Sequence, residues 1–213
     1  MKKTLFVFVL SIFITGTTFA QVKPGLTAGL NFFSFSESGT DAEKYNFSAG
    51  FQGGLFVDVG ITGNFSIIPE LLFSQRGAMQ WFEDEDNSDN YLKYYITLNY
   101  LQVPVNLAYK VNMGRSSKLF LFAGPYVGYA LSGNREMELK LDGEKESFKE
   151  KMEIGSEVDQ CKALDYGINI GTGIQFGKSF IKLQYNMGLN NLYNHDLATL
   201  KNVNVGLTYG LYF

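Results

Sequence analysis

The chain has 213 residues, a formal net charge of −3, 18% charged and 15% aromatic residues, 23 glycines, 4 prolines and one cysteine, Cys161. That length holds one or two domains, the small charge argues against nucleic-acid binding, and one cysteine excludes an internal disulfide or a multi-cysteine metal site. Few charges with many aromatics and glycines favour close-packed strands over helices.

The N-terminus predicts a cleaved secretory signal over residues 1–20, leaving one domain over 21–213. Lys2 and Lys3 precede an apolar run from Leu5 to Ile14 broken only by Ser11, and Thr18-Phe19-Ala20 is a small-x-small cleavage site before Gln21. The run is short for a bilayer span. The residue after the cut is Gln21 rather than cysteine, which argues against a lipoprotein anchor. Losing two lysines takes the charge from −3 to −5. No later stretch has ~18 uninterrupted apolar residues, so no transmembrane helix is predicted.

Beyond Gln21 the sequence alternates with period two, the mark of strands with one apolar face. A first strand places Leu26, Ala28, Leu30 and Phe32 against Thr27, Gly29 and Asn31, and a polar loop is expected from about Ser34 to Asn46. A second runs from about Phe47 to Val59, with Phe51, Leu55 and Val57 opposite Gln52, Gly54 and Asp58, and turns at Thr62-Gly63-Asn64. A third starts near Phe65, with Ile67, Leu71 and Phe73 opposite Ser66, Glu70, Ser74 and Arg76; Pro69 costs a ladder bond and predicts an irregularity. An acidic loop follows, Glu83 to Asn90.

A long fourth strand, about Tyr94 to Lys110, places Leu101, Val103, Val105, Leu107 and Tyr109 opposite Gln102, Asn106 and Lys110. Upstream, Ile96, Leu98 and Tyr100 have the other parity, which predicts a β-bulge near Tyr100 and Leu101. After a turn at Asn112 to Ser116, a fifth strand sets Leu119, Leu121, Ala123, Val127, Tyr129 and Leu131 against Phe120, Phe122, Gly124, Tyr126 and Gly128. The charged region Ser132 to Lys162 still alternates at Met137, Leu139 and Leu141, and Asp142-Gly143 is a hairpin signal, so strand extensions standing above a membrane are expected there. The sixth strand alternates from Leu164 to Phe176 and turns at Gly177-Lys178-Ser179. The seventh sets Ile181, Leu183, Tyr185, Met187 and Leu189 against Lys182, Gln184, Asn186 and Gly188, and a loop from Asn191 to Leu200 carries the only histidine, His195. The eighth is the most regular. Val203, Val205, Leu207, Tyr209, Leu211 and Phe213 alternate with Asn204, Gly206, Thr208, Gly210 and Tyr212.

Eight strands whose connections alternate long and short predict an all-β, eight-stranded antiparallel up-and-down transmembrane barrel, with short periplasmic turns, long outer loops and both termini on the periplasmic side. Hydrocarbon cannot satisfy an open sheet edge, so the sheet must close. A β-sandwich needs a dry core, whereas the second face here holds Gln52, Asp58, Glu70, Arg76, Gln102, Asn106, Lys110, Asp165, Lys182, Gln184 and Asn186. Alternation alone does not separate this from a soluble lipocalin-like barrel. The leader, the terminal Phe213 and a polar face that also carries the glycines favour the membrane.

The chain resembles the PorT-like outer-membrane β-barrel proteins of Bacteroidetes-type bacteria, often labelled "porin family", from about Gln21 to Phe213. The resemblance is carried by Leu26-Thr27-Ala28-Gly29-Leu30-Asn31, Tyr100-Leu101-Gln102-Val103-Pro104-Val105, Gly124-Pro125-Tyr126-Val127-Gly128 and Tyr212-Phe213. It implies the outer membrane as location and insertion by the barrel-assembly machinery, with the last strand as signal. It carries over no catalytic residue and no cofactor.

Candidate chemistry is sparse. Glu83-Asp84-Glu85-Asp86-Asn87-Ser88-Asp89-Asn90 offers hard oxygen ligands for Ca²⁺ or Mg²⁺, but as an EF-hand begun at Asp84 it places Asp89 at the glycine position and Tyr95 at the twelfth; a solvated loop is the simpler reading. His195-Asp196 suggests a loop-face hydrolase without a marked nucleophile. Arg76, Lys110 and Lys182 with Asp58, Glu70 and Asp165 form either the lining of a narrow pore or a salt-bridged plug, and eight strands leave so little lumen that the plug is expected. Cys161 reads as an inert surface residue, and Trp81, Phe82, Tyr94 and Tyr95 as an outer aromatic girdle. No catalytic, cofactor or metal residue is assigned. The expected role is structural or interactive, through long loops contacting lipopolysaccharide or an envelope or extracellular protein, with a narrow channel as the alternative.

Overall fold

The computed structural model describes residues 22–39, 44–84, 89–114, 116–157, 160–194 and 198–213. Strict alternation gives nine strands: β1 (Val22–Gly39), β2 (Ser48–Thr62), β3 (Phe65–Glu83), β4 (Tyr91–Asn112), β5 (Ser117–Leu141), β6 (Glu144–Met152), β7 (Leu164–Phe176), β8 (Ser179–Gly188) and β9 (Ala198–Tyr212). Eight form a closed antiparallel ring in the order β1-β2-β3-β4-β5-β7-β8-β9, with β9 returning to β1. β6 pairs only with the upper part of β5. The short connections, Gly63-Asn64, 113–116 and Gly177-Lys178, lie at one end of the barrel with Val22 and Phe213, where Gly25 pairs Tyr212. Among the described residues no helix is long and apolar enough to cross a membrane.

The faces sort as the alternation demands. Leu183 is 50% exposed and Leu207 47%, whereas their neighbours Gln184 and Thr208 are 4% and 1% exposed. The exposed apolar residues form a band whose upper edge lies near Phe73, Leu101 and Leu131. Beyond it the outward residues turn polar, at Gln75, Asn99 and Ser132. Tyr212 points inward, and its hydroxyl donates to Asp58 Oδ2 at 2.9 Å.

Several boundaries differ from the sequence-based expectation. β1 does not yield to a loop at Ser34 but continues to Gly39, paired with β9 as far as Ala198. Pro69 leaves a gap in the β2–β3 ladder between the pairs Phe56–Glu70 and Val59–Ile67, but the register is the same on both sides. The bulge sits on β5, not on β4. Asn99 pairs Ser132 and Tyr100 pairs Ala130, so Leu131 is the extra residue. β4 therefore keeps one parity throughout, and Leu98 and Tyr100 point inward, fully buried, rather than outward. Asp142-Gly143 makes the anticipated hairpin, with φ of 50° and 87° at its two central residues, the left-handed pair that a two-residue primed turn requires.

Above the apolar band, β3, β4, β5 and β6 continue as a four-stranded wall. Trp81, Phe82, Tyr94 and Tyr95 lie in this wall, not at the membrane edge. At ~2.5 Å of axial rise per residue for a tilted strand, Trp81 is roughly 20 Å above Phe73. Aromatics that do flank the band are Tyr129 and Tyr166 at its upper edge and Phe65 and Tyr109 near the turns, the last two 4.9 Å apart.

Candidate functional site

The bore is filled in layers. Nearest the turns, Phe56, Ala108, Phe120, Phe122, Phe180 and Tyr212 form an apolar collar, with Phe56, Phe180 and Tyr212 in mutual edge contact at 5.1 to 5.6 Å. Alternation puts aromatics inside here because Phe120, Phe122 and Phe180 share inward parity with the glycines facing them. A Cβ on Gly210 would meet the Phe180 ring at 2.0 Å. Below the collar Lys110 is paired with Asp58.

Above the collar lies the polar belt. Lys182 Nζ donates to both oxygens of Glu70 at 2.7 and 2.6 Å, and Glu70 also accepts from Asn106 at 3.0 Å. Asn169 donates to Asn106 at 2.8 Å, and Gln52 to Thr208 at 2.8 Å. Highest in the belt, Arg76 Nη1 donates to Asp165 Oδ2 at 3.0 Å and to the Tyr126 hydroxyl at 3.0 Å, while Nη2 donates to Gln102 at 2.8 Å. The Arg76 guanidinium also lies 4.6 Å from the Tyr126 ring centre. The six charges set out as pore lining or plug are thus brought together as three ion pairs, Arg76–Asp165, Lys182–Glu70 and Lys110–Asp58. Arg76 and Asp165 are each 1% exposed.

A second apolar layer closes the belt from above: Phe35, Ala78, Leu98, Tyr100, Ala130, Cys161, Leu192 and Leu200. Leu98 and Tyr100, whose parity predicts a bulge, belong to this layer. Cys161 is not a surface residue. It bridges Ile154 and Tyr193 and is buried, which pushes its thiol pKa up to about 11, with the Asp165 carboxylate adding to the effect. Asn194 was not singled out in the sequence. Its amide reaches the carbonyls of Gly155, Glu157 and Gln160 at 3.1, 2.7 and 2.9 Å and ties the last loop to the longest one. Only an asparagine after an aromatic in a long loop marks it.

Over this layer the mouth opens into a vestibule of about 430 Å³. Phe35, Tyr94, Ile96, Met152 and Leu200 supply apolar surface, and Gln80, Gln160 and Arg135 are among its polar groups, with Tyr45 and Tyr193 also lining it.

On the outer face of the upper wall, directly above the lipid-facing surface, stand Lys93, Lys140, Lys145, Lys149 and Lys151, against Glu136 and Glu138. Lys93 Nζ lies 4.2 Å from the ring centres of both Trp81 and Tyr91. Glu138 accepts from Lys145 at 3.0 Å and from the Tyr91 hydroxyl at 2.8 Å, which hold its carboxyl below the ordinary range. β6 produces this segregation by period two. Lys145, Lys149 and Lys151 take one face, and Glu144, Glu146 and Glu150 the other.

Of the remaining candidates, Glu85, Asp86, Asn87 and Ser88 of the acidic loop, and His195 and Asp196, lie outside the described residues, as does the leader over residues 1–20. At the rim of the acidic loop, Asp84 N donates to Asn90 O at 3.2 Å.

The outer membrane protein beta-barrel domain family matches residues 19–194. No curated protein matches the chain. Among solved structures, the chain is similar to Ail, the attachment invasion locus protein of Yersinia pestis, solved in complex with the heparin analogue sucrose octasulfate. Identity is 15%, the match covers 90% of this chain and 99% of that one, and the TM-score is 0.40. Neisserial surface protein A is similar at 10% identity, covering 91% of this chain and 99% of that one, with a TM-score of 0.44. The N-terminal β-barrel domain of Pseudomonas aeruginosa OprF is similar at 12% identity, covering 88% and 97%, with a TM-score of 0.30. Identities this low carry no function across.

Proposed function

This chain belongs to the outer membrane protein beta-barrel domain family, and from that premise we propose a non-catalytic barrel, closed through its lumen, that acts by contacts made above the outer leaflet. The observation that carries the reading is the stack of three ion pairs across the bore, Arg76–Asp165 and Lys182–Glu70 between two apolar layers and Lys110–Asp58 below the lower one. A solute passing through must part these pairs, and separating one buried pair costs about 3–5 kcal/mol. Planar-bilayer recording tests this. The closed reading expects no steady openings, and steady ohmic openings would favour the narrow channel instead.

The contacts assigned to the outside follow from charge. Lys93, Lys140 and Lys151 make no ion pair among the described residues, and their place on the outward face above the apolar band, with Lys151 opposite Asn134 nearest its edge, supports contact with lipopolysaccharide phosphates. Each lysine close to an anionic lipid surface contributes about 1 kcal/mol. Replacing all three with glutamine is expected to abolish the extra thermal stability gained in lipopolysaccharide-containing vesicles over phosphatidylcholine ones. An equal gain in the variant would remove this partner. A protein partner at the loops, the PorT-like branch of the family, cleavage after Ala20 and recognition of the last strand by the assembly machinery complete the proposal, supported by the sequence features given for them.

A further inference from the structure

The bulge on β5 has a chemical consequence at the mouth. Below it, even-numbered residues of β5 point inward, as buried Phe120, Phe122, Tyr126 and Ala130 do. The extra residue, Leu131, reverses the parity, so Gly133 is buried and Arg135 shares its face. Without the bulge Arg135 would point out beside the lysines. With it, Arg135 lines the vestibule. Bulges commonly re-aim one side chain in this way. Every charged side chain of the belt below is paired, but Arg135 makes no ion pair among the described residues, not even with Glu150 directly across on β6.

The space it serves is blind. Phe35, Cys161 and Leu200, which line it, belong to the apolar layer with Leu98 and Tyr100, and the Arg76–Asp165 pair lies beneath that layer. Its walls are mostly apolar, and its volume of about 430 Å³ suits a small organic ligand. A guanidinium at the lip of a blind apolar cavity complements a molecule with a greasy body and one anionic end, since guanidinium grips a carboxylate through two parallel hydrogen bonds.

We propose that the vestibule binds a small amphipathic carboxylate, an aryl or branched alkyl acid entering from the outside, with its body against Phe35, Tyr94, Ile96 and Leu200 and its carboxylate on Arg135. The proposal goes beyond lipid contact and rests on the membrane reading only for the side from which the ligand arrives.

Titration calorimetry of the barrel in lipid nanodiscs tests it, with 4-phenylbutyrate as probe, its neutral amide as comparison and empty nanodiscs as blank. The expected result is saturable one-to-one binding of the acid, roughly tenfold tighter than the amide, the size of effect a charge-assisted hydrogen bond supplies. Arg135→Gln, a change at an exposed side chain, should erase the difference and leave the amide unchanged. Glu150→Gln should tighten the acid. Ile96→Trp, with retained heat-modifiable gel mobility as the check on folding, should abolish both by filling the cavity. Uptake no greater than by empty nanodiscs, equal affinities for acid and amide, or undiminished binding to folded Ile96→Trp would each overturn the site. None of these results bears on conductance, so this proposal and the closed lumen fail separately.

Discussion

Arg76→Met is the most informative single change in the lumen. It keeps an unbranched chain of similar reach on β3 and removes the guanidinium that donates to Asp165, Tyr126 and Gln102. Asp165 is then left 1% exposed without its counter-charge, keeping donors only from Asn202 at 2.9 Å and Tyr126 at 3.3 Å. Stranding one member of a buried pair costs about 3–5 kcal/mol, whereas replacing both by apolar groups is often neutral. The single variant should therefore lose about 3–5 kcal/mol in reversible urea unfolding in lipid vesicles, and Arg76→Met/Asp165→Leu should regain most of that loss. The cycle is read from unfolding midpoints, with gel mobility confirming the folded barrel. A single-variant loss below about 1 kcal/mol, or a double variant no better than the sum of its singles, would refute a desolvated pair at this level of the bore.

Gly54 stands where β2 approaches β3 so closely that a Cβ would lie 1.9 Å from the Leu71 carbonyl oxygen, whereas at Gly53 the nearest atom is 3.3 Å away. Gly54→Ala should thus destabilise the barrel by about 1–3 kcal/mol and Gly53→Ala by much less, again by urea midpoint. Cys161 has its thiol pKa pushed up to about 11 by burial. A folded pKa above the unfolded one adds stability that is complete below the unfolded value, ~8.5, and is lost as pH rises through about 11. Iodoacetamide should accordingly react faster with the folded protein at each step above pH 9, and a rate that levels off near pH 8.5 would contradict the buried placement.

The ring of eight was legible because period two is the strongest local signal a strand gives, and Leu183 with Gln184, or Leu207 with Thr208, needs nothing beyond its own strand to be sorted. The failures share a physical cause. The parity of Ile96, Leu98 and Tyr100 predicts a bulge only if apolar residues always point outward, a rule that holds only inside the bilayer. Above its edge the outside is water, and the apolar residues turn in to cap the polar belt. The change of parity in the sequence falls on β4, whereas the extra residue, Leu131, lies on β5. Cys161 and Asn194 sit between strands, where no periodicity applies. The plug was visible as a list of charges but not as pairs. Arg76 meets Asp165 from 89 residues away, and Lys182 meets Glu70 from 112. Which charges meet depends on the stagger of strands that are not neighbours.

Spin labels along the outer surface test the account most directly. Labels at Leu183 and Leu207, 50% and 47% exposed on the apolar band, should collide with oxygen dissolved in the acyl chains far more often than with a water-soluble nickel complex, and a label at Ser147, exposed on β6, should show the reverse. If the first two met nickel as freely as Ser147 does, these strands would not be in lipid.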